Sequence, residues 1–485
     1  MDTAVIRVPP RHFIDNTQVA SSSGETLPMI DPSDGCAFAE IARGNAADVD
    51  RAVAAAQRAR DGAWGALAPV ARGRALAKLS QALLDHAVEL ANIESRDCGK
   101  PWSQAKNDVI ACARYFEFYA GTCDKLHGET LPYAPGYTVL TWREAHGVTA
   151  HVIPWNYPLQ IFGRSVAGAL AAGNACVVKP AEDACLSLLR VAELAAAVGL
   201  PAGAINIVTG LGREAGTALV SHPGVQHVSF TGSPTTGVQV AQEAAKRHCP
   251  VTLELGGKSP QIVFADADLA AALPAVVSAI IQNAGQTCSA GSRLLIEETC
   301  YEPVLSSLAE RFGDLRTGPA LADPDCGPLI RASQQERVRL FIAQAERHGI
   351  PMVAQGTLMS DAPKGGYYEV PRLFRDVPPN HRLAQEEIFG PVLAAMPFTD
   401  EAHAVALANA TEFGLAAGVW TRDGARQLRL ARALKCGQVF INNYGAGGGV
   451  ELPFGGVKSS GYGREKGFEA LYGFTALKTV VVRHG

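Results

Sequence analysis

The sequence predicts an α/β protein built from two doubly wound parallel sheets and a small β arm. Residues 175–255 alternate between short apolar runs, which are typical of buried strands, and longer segments with helical periodicity. A second alternating region runs from residue 256 to about residue 440. Strands and helices that alternate in this way favour parallel sheets with helices on both faces. An extended stretch that precedes the first region predicts the arm.

The N-terminal part predicts one long amphipathic helix followed by this extended stretch. Apolar side chains recur largely on one helical face at Leu76, Leu79, Leu83, Val88 and Leu90. The pattern stops at Gly99 and Pro101, which are typical residues after a helix end. From Thr130 to Ile153 the pattern becomes extended around a Pro135–Gly136 turn, which predicts a hairpin or strand arm.

The first alternating region supplies the most regular prediction. Its expected elements are a strand at 175–178, a helix at 185–198, a strand at 204–208, a helix from about residue 214, a strand at 225–230, a helix after residue 234 and a strand at 251–255. Gly199 and Pro201 close the first of these helices. The second region ends in a Gly-rich segment, residues 442–463, and no internal repeat is visible.

Length and composition indicate a packed protein of several domains. A chain of 485 residues is too long to form a single ordinary hydrophobic core. Its composition, with 47% hydrophobic and 19% charged residues, is typical of a globular protein. The formal net charge of −4, without a run of one sign, argues against nucleic acid or anionic lipid as partner. A typical apolar stretch, 269–281, is 13 residues, below the roughly 18 that span a bilayer. No membrane segment or targeting signal is visible, so we expect a cytoplasmic protein.

The cysteine pattern predicts reduced thiols and no metal centre. Eleven cysteines are scattered without a Cys-x-x-Cys pair, and their number is odd. The twelve histidines contain no His-Glu-x-x-His motif, and the Cys/His spacing matches no zinc pattern.

Two turns of the first region are candidates for holding a dinucleotide. Gly210, Gly212 and Gly216 follow a strand and open a helix, but the spacing is one residue longer than the usual fingerprint. Ser233 can cap the helix that Pro234 begins, which would aim backbone N–H groups at a pyrophosphate. Ordinary helix capping is the alternative explanation of Ser233.

Lys179 and Glu182 lie just past the carboxyl end of a predicted strand, where open α/β sheets bind ligands. A carboxylate there can accept hydrogen bonds from a ribose and would repel a 2′-phosphate. These residues therefore favour NAD over NADP. The alternative is that they are two solvated loop charges.

Cys288 and Glu254 are candidates for covalent chemistry. Cys288 follows an apolar helix within Gly285-Gln-Thr-Cys288, a polar turn where a thiol can stay accessible, although a typical cysteine is a small buried hydrophobe. Glu254 ends an apolar strand, where a carboxylate is costly to bury without a role or a partner. A structural ion pair with Lys258 is the alternative explanation of Glu254.

Asn156 is a candidate donor to an oxyanion. It lies in Pro154-Trp-Asn-Tyr-Pro158, a rigid turn that fixes its side-chain amide. The alternative is a loop that the two prolines merely stiffen.

Taken together, seven segments closely resemble the aldehyde dehydrogenase superfamily, in the family's order and over nearly the whole chain. They are PWNYP (154–158), VVKPAE (177–182), FTGS (230–233), LELGGKSP (253–260), GQTC (285–288), EEIFGPV (386–392) and PFGG (453–456). The resemblance implies an NAD-binding domain (1–124 and 146–255) and a catalytic domain (256–441). It also implies that 442–467 lines the active site and that 125–145 with 468–485 form an oligomerisation arm.

The resemblance also implies roles for individual residues. Cys288 is similar to the nucleophile, Glu254 to the general base and Asn156 to the oxyanion donor. Glu387 resembles the residue that holds the nicotinamide ribose, and Phe389 its packing partner. The remaining expected cofactor contacts are Trp155, Lys179, Glu182, Gly212, Gly216 and Ser233. The expected partners are an aldehyde and further copies of the chain, as a homodimer or homotetramer.

Three departures from relatives bear on proton transfer and on the substrate. A relay lysine of many relatives is replaced by Ser165, although Glu465 matches another relay member. Arg164 matches a carboxylate-binding arginine of succinic semialdehyde dehydrogenases, whereas their second arginine is replaced by Gln282 and their substrate serine is lost within 447–449. The resulting hypothesis is an anionic or polar semialdehyde, or a neutral aromatic aldehyde, contacted by Arg164, Tyr157, Gln282 and Phe454. The alternative from another class is a non-catalytic NAD-binding or structural protein of the same fold.

Overall fold

A computed structural model of the chain describes residues 10–445 and 449–485. Its helices are α1 (Ala46–Asp61), α2 (Pro69–Asp85), α3 (Ala87–Cys98), α4 (Trp102–Ala120), α5 (Pro158–Ala172), α6 (Leu186–Ala197), α7 (Thr217–Ser221), α8 (Pro234–Ala245), α9 (Leu269–Ile281), α10 (Tyr301–Asp314), α11 (Ala332–Arg347), α12 (Arg382–Gln385), α13 (Glu401–Asn409), α14 (Gly424–Ala433) and α15 (Glu469–Gly473).

The strands are β1 (Arg11–Ile14), β2 (Thr17–Ala20), β3 (Thr26–Ile30), β4 (Ala37–Ala42), β5 (Thr130–Leu131), β6 (Tyr137–Ala145), β7 (Val148–Ile153), β8 (Ala175–Pro180), β9 (Ile205–Ile207), β10 (His227–Thr231), β11 (Val251–Glu254), β12 (Pro260–Val263), β13 (Arg293–Glu297), β14 (Arg316–Thr317), β15 (Met352–Gln355), β16 (Thr357–Leu358), β17 (Arg372–Phe374), β18 (Val392–Phe398), β19 (Ala416–Trp420), β20 (Gln438–Ile441), β21 (Gly461–Tyr462) and β22 (Thr475–Arg483).

The first sheet has eight strands in the order β2-β1-β9-β8-β7-β10-β11-β21. The central strands from β9 to β11 are parallel, and the edge strands β1, β2 and β21 are antiparallel. Helices α1, α5 and α6 pack against these strands. The predicted alternation of strands and helices over 175–255 is confirmed, and β21 arrives from a segment some two hundred residues further along the chain.

The second sheet has seven strands in the order β15-β17-β18-β13-β12-β19-β20, all parallel except the edge strand β15. Neighbouring residues of β13 belong to different hydrophobic clusters. Leu295 belongs to one cluster, and Leu294 and Ile296 belong to another. Because successive side chains of a strand point to opposite faces, both faces of this sheet are buried. The α/β fold class with two doubly wound sheets is confirmed.

The third sheet is small and has the order β22-β6-β5. β5 and β6 form the hairpin predicted around Gly136, whose φ of 82° lies in the left-handed region that favours glycine. β22 pairs with β6 along nine residues, from Thr475 to Arg483. The hairpin prediction is confirmed for residues 130–145, whereas β7, which the predicted stretch of 130–153 also contained, is a central strand of the first sheet.

The prediction of a single long helix through residues 76–90 is wrong. The structure has two helices, α2 and α3, that meet at His86, whose backbone leaves the helical region (φ −103°, ψ 19°). Leu76, Leu79 and Leu83 are buried from α2, whereas Val88 is 56% exposed. The apolar residues therefore do not share one stripe, and the chain turns at His86 so that α3 buries Leu90 separately.

Among residues 10–445 and 449–485, no helix is long and apolar enough to cross a lipid bilayer. All eleven cysteines are free thiols.

Candidate functional site

The predicted site segments lie at the carboxyl ends of the parallel strands of the first sheet. The 154–158 turn follows β7, Glu182 follows β8 and the 210–216 turn follows β9. Ser233 follows β10, and the glycine pair 256–257 follows β11. Parallel strands end at the same edge of a sheet, where open α/β folds bind ligands. Segments far apart in the chain therefore meet at one edge.

The loop that carries Cys288 begins with an unusual turn. After α9 ends, Asn283, Ala284 and Gly285 all have left-handed backbone, with φ of 49°, 54° and 72°. The Asn283 amide donates to the backbone carbonyl of Asn156 at 2.8 Å, and the Gln286 amide donates to the carbonyl of Asn283 at 3.0 Å. Gln286 also accepts from the backbone N–H of Ile330 at 3.0 Å. Side-chain amides thus hold the loop in place.

Asn156 lies directly against this loop. Its side chain is buried, and its Nδ2 donates to the carbonyl of Gln286 at 2.9 Å, two residues before Cys288. Next to it, the hydroxyls of Tyr157 and Thr287 share a hydrogen bond of 2.9 Å. An amide NH2 group has two donors, so one donor of Asn156 remains for a ligand.

Cys288 is half-buried and its backbone is tightly packed. A Cβ built on Gly257 would lie 2.5 Å from the Cys288 carbonyl oxygen, so only glycine allows this approach. Burial raises the pKa of the Cys288 thiol to about 11, which the positive charge of Arg164 partly offsets. The thiol of the ligand-free site is therefore protonated at neutral pH and needs a base or a nearby positive charge to react.

Glu254 ends β11 with a carboxyl that is 2% exposed. Neither of its oxygens has a hydrogen-bond partner within the described parts of the chain, and the same holds for the Lys258 ammonium. The alternative explanation by a Glu254–Lys258 ion pair is therefore not supported. Burial raises the pKa of Glu254 well above the ordinary value for a glutamate, and Arg164 opposes that shift.

Four of the predicted cofactor residues cluster at the ends of β8 and β9; Lys179 lies within β8, which runs to Pro180, and not past the strand as predicted. Lys179 Nζ pairs with Glu182 at 3.0 Å, and Lys179 is buried, so the two are not simply solvated loop charges. A Cβ built on Gly212 or Gly216 would have Lys179 as its nearest neighbour, at 4.0 and 3.8 Å. This surface is thus open and carries a carboxylate, which can accept hydrogen bonds from an adenosine ribose, and an ammonium, which can donate to its phosphate.

Ser233 caps α8, as the alternative explanation proposed. Its Oγ accepts from the backbone N–H of Thr236 at 3.2 Å, and Pro234 occupies the first helical turn. The cap uses one N–H group and leaves the positive helix end at the carboxyl edge of the sheet. Capping and pyrophosphate binding are therefore compatible at this turn.

Glu387 and Phe389 approach the site from the second region. Glu387 Oε1 accepts from the backbone N–H of Gly257 at 3.0 Å, and burial raises the pKa of this carboxyl to about 7. A Cβ on Gly256 would lie 2.3 Å from Glu387 Oε2, so the glycine pair admits the carboxylate. Phe389 has a φ of 60° and its ring meets Trp155 edge-on at 5.3 Å.

The predicted substrate residues have different environments. Arg164 is buried and pairs with Glu465 at 2.5 Å, so its charge is not free for an anionic ligand. Phe454 lies beneath the Arg164 guanidinium at 4.9 Å. Gln282 is exposed at the end of α9. Of the segment 447–449, residues 447 and 448 lie outside the described residues.

Ser165, in place of the relay lysine, does not reach the site by a hydrogen bond. Its hydroxyl donates to the carbonyl of Ile161 in its own helix at 3.0 Å. Glu465 instead accepts from Arg164 and, at 2.5 Å, from the hydroxyl of Ser229.

Sequence reasoning missed several residues of this arrangement. The sequence could have indicated the close approaches at Gly256 and Gly257, since a glycine pair after a strand suggests contact with another part of the chain. It could also have indicated the turn at Asn283, because asparagine tolerates left-handed backbone. Ser229 and the Arg164 contact Thr231 lie on a buried strand, and nothing in the local pattern marks them.

Comparison with known proteins agrees with this arrangement. Residues 19–480 match the model of the aldehyde dehydrogenase family. A hydroxyisobutyraldehyde dehydrogenase of Mycolicibacterium austroafricanum is 42% identical over 474 residues, 97% of this chain and 93% of the relative.

Solved structures are similar over almost their whole length. A Burkholderia cenocepacia crystal structure described as a candidate aldehyde dehydrogenase is 69% identical with a TM-score of 0.97, covering 98% of this chain and 100% of the other. An indole-3-acetaldehyde dehydrogenase of P. syringae, in complex with NAD+ and IAA, is 39% identical with a TM-score of 0.96, covering 99% and 98%. This chain therefore belongs to the aldehyde dehydrogenase family, enzymes that oxidise aldehydes with a nicotinamide dinucleotide.

Proposed function

We propose that this enzyme oxidises an aldehyde to the carboxylic acid through a covalent thioester on Cys288, with NAD as cofactor. The observation that carries the proposal is the meeting of three distant segments around the Cys288 loop. The Asn156 amide donates a hydrogen bond to the Gln286 carbonyl at 2.9 Å. Gly257, three residues after Glu254, packs against the Cys288 carbonyl.

The first step is addition of the Cys288 sulfur to the aldehyde carbon. A thiolate is the reactive form, so the proton must leave the thiol before or during attack. The carbonyl π bond becomes an oxyanion, and the remaining N–H of the Asn156 amide donates to it. Removing one such donor typically costs about 10²–10³ in rate.

The cofactor is held by residues of both regions. Lys179, Glu182 and the open face of Gly212 and Gly216 would take the adenosine side, and the α8 end at Ser233 would take the pyrophosphate. Glu387 would hold the nicotinamide ribose, with Trp155 and Phe389 beside it. A nicotinamide bound there would supply the acceptor for the hydride lost by the former aldehyde carbon, which is already bonded to the Cys288 sulfur and to oxygen and so becomes the carbonyl carbon of a thioester.

Glu254 then supports hydrolysis. Its carboxylate takes a proton from water, the resulting hydroxide attacks the thioester carbon, and the acid leaves as the sulfur is restored. An unpaired carboxyl is suited to this task because no competing hydrogen bond holds it.

The preference for NAD over NADP rests on Glu182. A carboxylate beside the ribose accepts its hydroxyl hydrogens and repels a 2′-phosphate. Lys179 partly offsets that repulsion through its ion pair, so the preference is best tested with both cofactors in parallel.

For the substrate we favour the neutral aromatic aldehyde over the anionic semialdehyde. The Arg164 charge is compensated by Glu465, and aromatic rings of Tyr157, Phe454 and Trp155 lie in the site segments. A relative of 39% identity is named for indole-3-acetaldehyde, which is such a compound.

The assembly and the domain division are part of the same proposal. We propose the cofactor domain, the catalytic domain and the arm with the residue ranges expected from the sequence; the eight-, seven- and three-stranded sheets support this division, although β21 of the first sheet comes from the 442–467 segment. We propose that β22, an edge strand, pairs with another copy of the chain. The cytoplasmic location stays a prediction from sequence.

The test is NADH formation, followed by absorbance, with a panel of aldehydes. Cys288→Ala is expected to abolish oxidation while NAD still binds. Glu254→Gln is expected to release one burst of NADH and then to retain the acyl group, visible as a mass increase on the Cys288 peptide.

Cys300→Ala is the matched control, because Cys300 is another half-buried thiol and its loss should leave turnover unchanged. Full activity of Cys288→Ala would overturn the proposal. A wild-type protein that binds NAD without turning over any aldehyde would instead favour a non-catalytic protein.

A further inference from the structure

A buried cluster of three charged residues contacts the chain that directly follows Asn156, and the reaction as proposed does not use it. Glu94 belongs to α3, Asp108 belongs to α4, and Lys100 lies between these two helices. The ammonium of Lys100 donates to Asp108 and, at 3.4 Å, to Oε1 of Glu94. All three side chains are buried, so the other carboxylate oxygens take hydrogen bonds from the protein. We call these three residues the Lys100 cluster.

The two carboxylates of the cluster hold the first turn of α5. The backbone N–H of Leu159 donates to Oε2 of Glu94 at 3.3 Å, and the side-chain amide of Gln160 donates to Oδ1 of Asp108 at 2.5 Å. Tyr157 is the N-cap residue of α5, and its hydroxyl lies too far from the helix N–H groups to accept from them. Glu94 therefore supplies, from α3, an acceptor that a capping side chain usually provides.

The cation of the cluster contacts the residue next to Asn156. The ammonium of Lys100 lies over the ring of Tyr157, 3.9 Å from the ring centroid. A cation is attracted to the face of an aromatic ring, and more strongly where water is excluded. The hydroxyl of the same tyrosine shares a hydrogen bond of 2.9 Å with Thr287, the residue before Cys288. The Tyr157 ring is thus held by the Lys100 cluster on one face and by the Cys288 loop at its hydroxyl.

Helix α4 also contacts the Cys288 loop directly. Oε1 of Gln104, on α4, accepts from the backbone N–H of Asn283 at 2.9 Å. The side chain of Asn283 in turn donates to the carbonyl of Asn156 at 2.8 Å. One helix outside the site therefore contacts both the turn that carries the proposed oxyanion donor and the loop that carries the proposed nucleophile.

A buried ion cluster is a poor source of stability. The cost of removing charges from water offsets much of their attraction, and well-packed apolar residues often stabilise a core equally well. Apolar packing is not directional, whereas hydrogen bonds depend on angle as well as on distance. A donor to a reacting atom must lie within about 0.5 Å of its productive position. The Lys100 cluster is therefore better suited to fixing geometry than to holding three helices together.

We propose that the Lys100 cluster positions the oxyanion donor: Lys100, Glu94 and Asp108 fix residues 157–160 and thereby aim the Asn156 amide at the substrate oxygen. The three residues are positioning residues, since they act through the turn and do not touch the aldehyde. The inference rests on the proposed role of Asn156. It predicts that a loosened cluster slows addition and hydride loss and leaves the affinity for NAD unchanged.

The experiment is a single turnover at saturating NAD, with the enzyme in excess over the aldehyde. The aldehyde is the member of the panel with the highest wild-type kcat/KM. Absorbance of NADH then follows addition and hydride loss, whichever later step limits steady turnover. The rate constant and the amplitude are read separately. A merely structural defect lowers the amplitude, because less enzyme is folded, whereas a misplaced donor lowers the rate constant.

Gln160→Met is the first variant, because it removes one hydrogen bond to Asp108 and leaves the three charges of the cluster in place. Its rate constant is expected to fall about tenfold, since a displacement of 1 Å can cost about 10²-fold. Gln81→Met is the matched control, because Gln81 donates to Asp85 at 2.8 Å on α2, and it should keep the wild-type rate constant. Lys100→Met is expected to lose more, about a hundredfold. If Lys100→Met fails to fold because two buried carboxylates lose their cation, Gln160→Met decides the test.

The second arm repeats these variants in an Asn156→Ala background. Asn156→Ala alone is expected to cost about 10²–10³ in the rate constant. Adding Gln160→Met is expected to cost less than about twofold more, because no amide remains to be positioned. The proposal is overturned if Gln160→Met keeps the wild-type rate constant, lowers only the amplitude, or costs the same factor in both backgrounds. An unchanged rate constant in Asn156→Ala would instead overturn the oxyanion role itself, and the inference with it.

Discussion

At the scale of single residues, Glu254 carries a buried carboxyl that has no hydrogen-bond partner in the described chain. Burial raises the pKa of Glu254 well above the ordinary value for a glutamate. Arg164 opposes the shift by its charge and Glu465 adds to it. The surroundings of Glu254 therefore favour its protonated form, and the neighbouring charges set how readily it loses the proton to act as a base.

Hydrolysis of the acyl-enzyme is expected to accelerate with pH. Below the raised pKa of Glu254, each pH unit increases the carboxylate fraction and hence the rate about tenfold, up to a plateau. Single-turnover measurements of acid release between pH 5 and 9 check this. Glu254→Gln is expected to lose the plateau of the hydrolysis rate and to keep only slow hydrolysis by hydroxide. A wild-type hydrolysis rate that does not depend on pH would contradict the role of Glu254.

The same shift has a consequence for stability. A carboxyl whose pKa is raised on folding ionises in the unfolded chain first, so its contribution to stability is lost as pH rises from about 4.5 through the folded value. Glu254→Gln is therefore expected to unfold at higher urea concentration than the wild type at pH 8, with a smaller difference at pH 4.

At the scale of one element, the loop after α9 decides where the Cys288 sulfur lies. Three consecutive left-handed residues, 283–285, bend the chain, and two of them are not glycine. Such backbone costs about 1–2 kcal/mol for each non-glycine residue. The amide hydrogen bonds of Asn283 and Gln286 offset that cost and tie the loop to Asn156.

Gly285→Ala is expected to displace this loop. Gly285 has a φ of 72°, and a Cβ there would lie 2.2 Å from the carbonyl oxygen of Gly390. Loss of most turnover and of several kcal/mol of stability is expected, since both backbone strain and a backbone clash result. Gly349→Ala is the control, because Gly349 has a φ of 68° with nothing within 4 Å and should lose only about 1 kcal/mol. Equal effects of the two substitutions in urea unfolding and turnover would contradict this reading.

At the scale of the whole molecule, the arm ends in a strand with a free edge. β22 pairs with β6 on one side and is the outermost strand of its sheet. Leu477 and Val481 are 56% and 57% exposed, four residues apart on the strand and so on the same face. An apolar edge strand of nine residues invites pairing with another chain.

A double variant, Leu477→Lys with Val481→Lys, is expected to lower the molecular mass measured by light scattering. Charged side chains on an edge strand disfavour pairing between chains. Leu340→Lys with Leu428→Lys is the matched control, because these leucines are 58% and 66% exposed on helices. A wild-type monomer, or an unchanged mass of the arm variant, would contradict self-association through β22.

Local pattern alone determined much of this protein. The strands and helices between β8 and β11 follow from apolar periodicity and from helix stop signals such as Gly199. Cys288, Glu254 and Asn156 could be singled out because each is a reactive or polar residue in a turn or at a strand end. Such properties belong to the nearest few residues of the chain, and the sequence shows them directly.

Only the tertiary structure decided which charges meet. Arg164 and Glu465 are about three hundred residues apart, and no local pattern indicates that they form an ion pair. The turn at His86 likewise depends on what α2 and α3 pack against, not on their periodicity. Burial removes water from a polar group, and its charge state then depends on neighbours that only the folded chain supplies.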